Sequence, residues 1–364
     1  MWRYLKRVLI GKPLKTLDEG QTHLTKFKAL AMLSSDAISS VAYGPEQITT
    51  VLVTLSAAAI WYSIPIAAVV LVLLLAITLS YQQIIHAYPS GGGAYVVATR
   101  NWGSNGGLFA GGSLLVDYML TVAVSTTSGV EAITSAVPAL YKFSIPIGIV
   151  IVLLIMFMNL RGMSESANFL TIPVYFFVIM MIVMVVWGGY NIATGHIHYR
   201  AIVDYGTPVS GMSFVLLIRA FSAGSSSVSN AVPNFNKPKE KNASTTLAIM
   251  SAILAFFFIA VIFFSFYLGV VPNSRTTILS QMAAQIFGGH GLGFYLLQLS
   301  TAMILAVAAN TGFSAFPILA FNMAKDKYMP HAFMDRGDRL GYSNGIISLA
   351  IGAIILILIF HGQT

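Results

Sequence analysis

Long apolar runs separated by short polar connections fill most of the chain. A bilayer core ~30 Å thick needs roughly 20 apolar residues per helical span. Nine stretches meet or approach that length, near 28–55, 62–86, 106–136, 144–160, 166–192, 211–235, 243–271, 291–322 and 344–360. Two of them carry interruptions. The first holds Asp36 and the pair Gly44-Pro45, which predicts a break across 36–45, because proline removes a helical hydrogen bond. The sixth is expected to break near 222–233. Between spans seven and eight, 276–287 places apolar residues at helical spacing, which predicts an amphipathic helix along the outer interface. Between spans two and three, Gly91-Gly92-Gly93 either lets the backbone approach a neighbouring helix closely or forms a flexible turn.

Composition turns these stretches into membrane spans. Hydrophobic residues make up 57% of the 364 and charged residues 9%, against about a quarter charged in soluble domains; mean hydropathy is +0.80. The expectation is an all-α, multi-pass integral membrane protein. The net charge of +8 does not form one basic surface, since the lysines and arginines fall in the gaps between spans. With the N-terminus placed in the cytoplasm, the outer connections hold only Lys142, Arg200 and Arg275, Arg219 lies inside span six, and the rest are on the inner side. That asymmetry sets the predicted orientation. Residues 1–27 read as a cytoplasmic N-terminal segment and 28–360 as the transmembrane domain. The basic start is followed by polar residues to about Phe27, so it is no cleaved signal, and the first span directs insertion. There is no cysteine, which excludes disulfides, thiolate nucleophiles and Cys-based metal sites. The seven histidines show no ligand spacing, and no phosphate loop or nucleophile constellation occurs, so an enzyme is not expected, nor a cofactor, nor a nucleic-acid partner.

Breaks in the first and sixth spans, five spans apart, point to two inverted five-helix repeats with a substrate site at the interruptions. The first repeat covers about 28–192 and the second about 211–360. Two such repeats need ten spans, and the sequence stops after the ninth. The second repeat is therefore expected to be incomplete through truncation.

Candidate chemistry concentrates on spans one and three. Asp36 and Tyr43 are nearly two helical turns apart and share a face, with the hydroxyls of Ser34, Ser35, Ser39 and Ser40 between them. These are hard oxygen donors for a small cation. A capping role for Asp36 at a half-helix is the alternative and is compatible with it. On span three, Asp117, Thr121 and Ser125 follow steps of four and make a polar stripe; Asp117 gives it weight, because intramembrane carboxylates are functional candidates. Two buried aspartates at one site cannot both stay charged cheaply without a cation between them, so Asp36 and Asp117 are expected to share exchangeable charge, metal cation and proton. Glu46 and Glu131 are candidate gate or coupling residues, with interface roles as the alternative. Arg219 is expected to pair with a carboxylate or with carbonyls freed near Gly224.

Four motifs resemble a known superfamily: Leu-Ser-Ser-Asp-Ala-Ile-Ser-Ser-Val-Ala-Tyr-Gly-Pro-Glu at 33–46, Tyr-Pro-Ser-Gly-Gly-Gly-Ala-Tyr at 88–95, Val-Asp-Tyr-Met-Leu-Thr-Val-Ala-Val-Ser at 116–125 and Asn-Thr-Gly-Phe-Ser-Ala-Phe-Pro at 310–317. The chain is similar to the amino acid/polyamine/organocation permeases, and within them to the KimA-type potassium importers, potassium/proton symporters grouped with the KUP family. The resemblance covers essentially the whole chain. It implies a LeuT-like fold, potassium and proton as substrates, a bacterial cytoplasmic membrane and homodimers among full-length relatives. Carried over motif by motif, Asp36, Tyr43, Asp117, Thr121 and Ser125 match the family's cation-binding positions.

Two departures stand out. In the family the sixth span continues through a Thr-Gly-Val-Glu stretch, whereas Phe221-Ser-Ala-Gly-Ser-Ser-Ser-Val-Ser-Asn230 runs on without it. About six missing residues amount to ~9 Å of helix, so a shortened sixth span is expected and no site residue carries over there. The family's last helices and its cytoplasmic domain that responds to cyclic di-AMP lie beyond Thr364, so regulation by that route is not expected. The function these readings support is proton-coupled potassium uptake, impaired to the extent that the shortened span and truncation matter. The competing readings are a proton-coupled amino-acid or organic-cation permease of the same fold, and a non-transporting partial permease.

Overall fold

A computed structural model describes residues 26–53, 57–87, 93–161, 167–200, 239–273, 275–335 and 342–361. The predicted sixth span, with its expected break and shortening, and Arg219 lie outside these residues. Nine α-helices are present among them: α1 (Lys26–Val53), α2 (Ser63–Ala87), α3 (Gly93–Ala136), α4 (Ser144–Leu160), α5 (Ala167–Ala193), α6 (Lys239–Tyr267), α7 (Ile278–Ile286), α8 (Leu292–Lys325) and α9 (Ser343–Ile359). Short 3₁₀ turns at Ala57–Tyr62, Pro138–Phe143 and His331–Met334 lead into α2 and α4 and follow α8. Among the described residues six stretches, along α2 to α6 and α8 with the 3₁₀ turns that lead into α2 and α4, are long and apolar enough to cross a membrane, and α9 is a shorter apolar helix.

The helices expose what a soluble protein would hide. α2 turns Val69, Val72, Leu75 and Leu79 outward, α4 Val150, Leu153 and Leu154, and α9 Ile351, Ile355 and Ile359. In water such faces are unfavourable at about 25 cal/mol per Å²; against lipid tails they are matched. Trp61, Phe266, Tyr199 and Tyr267 form a chain of ring contacts where α2 begins and α6 ends. Trp187 and Tyr190 lie near the end of α5. Amphipathic rings at helix ends suit the boundary between hydrocarbon and headgroups.

With lipid on the outside, burial cannot drive helix pairing, so close packing at small residues takes over. α3 and α8 share the most extensive interface. They run antiparallel, Gly111 meeting Met323, Tyr118 and Val122 meeting Gly312, and Gly129 meeting Leu305. A Cβ at Gly312 would come within 2.6 Å of Val122 Cγ2 and 3.2 Å of the Tyr118 carbonyl oxygen. At the far end Gly345 of α9 sits against Pro317 of α8, 2.9 Å from where its Cβ would be. α2 packs on α6 and α4 on α9. In the order of the nine apolar stretches of the sequence, each of these three pairs joins one stretch to the one five places later.

Three expectations change. The first span does not break: α1 is one helix with Pro45 inside it. Local side chains back-bond to the chain on either side of the proline, Ser39 and Ser40 donating to the Asp36 carbonyl at 2.7 and 3.1 Å and Thr49 to the carbonyls of Pro45 and Glu46 at 3.0 and 2.9 Å. A single proline inside a helix held on several sides costs one ladder bond and is absorbed without interruption. The third span begins earlier than 106, at Gly93, and two helical pieces meet at Gly103, whose φ of 74° only glycine adopts freely. The helix over 276–287 does not float on the interface either. Ile278, Leu279, Met282, Ala283 and Ile286 of α7 are all buried, so it is pressed into the body of the protein against α3, α5, α6 and α8.

Candidate ion-binding site

The serine-rich turns of α1 are almost wholly buried from Ser35 to Pro45. Within them the Asp36 carboxyl has one oxygen, Oδ1, that is buried and has no hydrogen-bond partner among the described residues. Ser39 and Ser40 spend their protons on the Asp36 carbonyl, which leaves their lone pairs as acceptors. Ser40 Oγ also lies 3.5 Å from the Tyr43 hydroxyl, and Tyr43 is 6% exposed. Asp36 and Tyr43 therefore do share a face of one buried helix, as their spacing predicts.

α3 brings the second carboxyl. Asp117 is close enough to Asp36 for the two charges to repel, and the buried Tyr118 lies in the field of both aspartates and of Tyr81 from α2. Thr121 follows one turn later and is partly buried; Ser125 is 0% exposed, with Oγ unpartnered among the described residues. Steps of four drift by about 40° each on a 3.6-residue helix, so Ser125 is turned well round the helix from Asp117. The three form an oblique stripe. Two carboxyls in mutual repulsion, one with an unserved oxygen, and hydroxyls around them make an all-oxygen donor set suited to a hard cation or a proton.

A second polar cluster lies towards the other end of α1 and α3. Glu46 Oε1 accepts the backbone N–H of Ile278, the first residue of α7, at 3.3 Å, and Glu46 and Glu131 feel each other's charge. One turn beyond Glu131, Ser135 Oγ accepts the Thr277 N–H at 3.1 Å, while Thr277 Oγ1 caps α7 by accepting from Ser280 N–H at 3.1 Å.

Several polar residues escaped the sequence reading. Tyr118 adjoins Asp117 but carries no spacing signal of its own. Asn159 donates to Asn310 Oδ1 at 2.7 Å across a fully buried α4–α8 contact; a lone asparagine in an apolar span and the Asn310 motif were the available hints. Tyr95 donates to Asp326 Oδ2 at 2.6 Å, tying the start of α3 to the end of α8. The glycine-rich motif at 88–95 contains that tyrosine but gave no indication of its partner.

Among the described residues the fold is a helical bundle of the LeuT-like kind, with two neighbouring carboxyls beside a hydroxyl-rich helix. The chain belongs to the amino acid permease family, which matches it over residues 24–363, a family of permeases and not of enzymes. It is 54% identical over 371 aligned residues to the potassium transporter KimA of Bacillus subtilis (strain 168), an alignment covering 100% of this chain and 61% of KimA. It is also 33% identical over 127 residues to the low-affinity putrescine importer PlaP of Escherichia coli (strain K12), covering 33% of this chain and 27% of PlaP. The chain thus spans about three-fifths of the length of KimA. The alignment runs to 371 positions against 364 residues here, so KimA holds residues that this chain lacks.

Proposed function

We propose that this chain is the membrane core of a potassium importer that couples potassium entry to protons across the cytoplasmic membrane, with its N-terminus in the cytoplasm. The observation that carries this reading is the buried, unpartnered Asp36 Oδ1 beside Asp117. A permanent pair of unbalanced carboxylates inside a membrane protein is too costly to keep, so the pair cycles between a bound cation and a bound proton. Asp36, Asp117 and the oxygens of Tyr43, Thr121 and Ser125 hold the ion. The identity with KimA along the whole chain supports potassium as that ion. The pairing of α2 with α6, α3 with α8 and α4 with α9 supports two inverted repeats, one over 28–192 and one over 211–360. The distribution of Lys and Arg supports the orientation.

A second reading has one observation in its favour. PlaP, a low-affinity putrescine importer, is 33% identical to this chain over 127 residues, and two carboxyls suit a dicationic amine as well as a metal cation. Uptake of labelled rubidium in cells lacking their own potassium importers separates the two. Competition by potassium and not by putrescine is the expected result; competition by putrescine alone makes this an amine permease, and no uptake of either cation removes both readings.

A further inference from the structure

Positions 117, 121, 128, 131 and 135 of α3 return to one side of a 3.6-residue helix. They hold Asp117, Thr121, Ser128, Glu131 and Ser135. With Val124 as the apolar position between Thr121 and Ser128, that face of α3 is mostly polar from Asp117 to the turn that starts α7. α1 runs parallel beside it, with Asp36 in electrostatic reach of Asp117 at one level and Glu46 in reach of Glu131 further along. Close to the Glu131 level, Ser128 is 4% exposed and its Oγ has no partner among the described residues. It sits one turn from Glu131 on that face. A hydroxyl buried without a partner is unfavourable, and here it lies one turn from Glu131, itself in electrostatic reach of Glu46, which points to a ligand carrying positive charge.

We propose that Glu46, Glu131 and Ser128 form an outer site for one monovalent positive charge, a potassium ion or a proton, occupied before that charge reaches Asp36 and Asp117. The proposal rests on the transport reading above. It gives the polar face of α3 a direction, from the mouth under α7 inward. It also links occupancy to α7. A charged Glu46 is favoured at the N-terminus of that helix, where it accepts the Ile278 N–H; neutralising it loosens the hold, so loading the outer site and releasing α7 are one event.

The test uses proteoliposomes of the full chain on a solid-supported membrane, recording charge displacement after an external potassium jump at constant pH and, separately, after a pH jump in choline. In an Asp36→Asn background, which blocks passage to the inner site, a fast displacement is expected to survive one or both jumps. Adding Glu131→Gln or Glu46→Gln is expected to reduce it about tenfold, equivalent to ~1.4 kcal/mol of binding, and Ser128→Ala to weaken it less. Response to potassium alone assigns the site to the ion, and response to pH alone to the proton. The outer site is overturned if Asp36→Asn shows no displacement, or if neither glutamine substitution alters it in protein that elutes as a monodisperse peak. Wild-type liposomes silent under both jumps would instead remove the transport reading itself, and the outer site with it.

Discussion

Gly312 is where the packing of α3 on α8 is tightest, and Gly312→Ala tests how the bundle positions its carboxyls. The added Cβ would sit 2.6 Å from Val122 Cγ2 and 3.2 Å from the Tyr118 carbonyl oxygen, where carbon atoms prefer about 3.5–4.0 Å. Val122 is 0% exposed and β-branched, so it has no easy rotamer to escape into. The backbones must part by about 1 Å, which forfeits a quarter to a half of each lost contact. Overpacking of this kind costs about 1–3 kcal/mol, against which alanine recovers about 1 kcal/mol of helix propensity. Gly129 on the same interface is the control, since its Cβ would meet Leu305 Cβ at an ordinary 3.5 Å; Gly129→Ala should be neutral or stabilising. Thermal unfolding of the purified chain in detergent should show Gly312→Ala lower by about 2–4 °C per kcal/mol, and Gly129→Ala unchanged or higher. Val122→Ala removes the clashing methyl, so the double substitution should lose less than the sum of the singles. Because Tyr118 and Val122 flank the turn that carries Asp117 and Thr121, rubidium uptake should fall with stability. Gly312→Ala at wild-type stability, or additive losses in the cycle, would show that this contact does not set the helix spacing.

Four further outcomes are expected. Asp36→Asn and Asp117→Asn should each cut rubidium uptake at least tenfold, equivalent to about 1.4 kcal/mol; undiminished uptake in both would end the case for the carboxyl pair. Asn310→Leu removes a buried amide pair with Asn159, which should lower stability by about 1 kcal/mol, with little added loss in the Asn159→Leu/Asn310→Leu double variant; equal and additive losses would argue against a direct bond. Tyr95→Phe deletes the hydroxyl that reaches Asp326 and should cost about 1 kcal/mol in thermal unfolding, with Asp326→Asn costing less because an amide oxygen still accepts; a silent Tyr95→Phe would count against the tie. Because the chain has no cysteine, single cysteines report topology cleanly: Lys142→Cys should react with an impermeant maleimide on intact cells and Lys327→Cys only after permeabilisation, and the reverse pattern would invert the orientation.

What could be read from the sequence was whatever a local rule determines. A span is a run of apolar residues long enough to match a bilayer, so the limits of α2, α4, α5, α6, α8 and α9 follow closely from composition alone. Asp36 and Asp117 were legible for a related reason: a carboxyl inside an apolar run is costly wherever the run ends up, which marks it before any partner is known. The proposed outer cluster was only half visible, as two glutamates with no reason to meet.

Tertiary structure decided everything that depends on distant chain segments. Gly44-Pro45 reads as a break because the local rule subtracts one hydrogen bond. α1 stays whole because its neighbours α5, α6 and α8 pack on it from several sides. The stretch at 276–287 reads as interfacial because one face is apolar, and it lies buried because α3, α5, α6 and α8 leave it a seat. The bond of Glu46 to the Ile278 N–H, the Asn159–Asn310 bond and the approach of Gly312 to Val122 join residues about 150 to 230 positions apart. Hydropathy and helical periodicity act over one or two turns, so the sequence by itself determined which segments are apolar and which carry charge. Only packing between helices, where small residues and buried polar groups find their partners, determined which of those charges face one another.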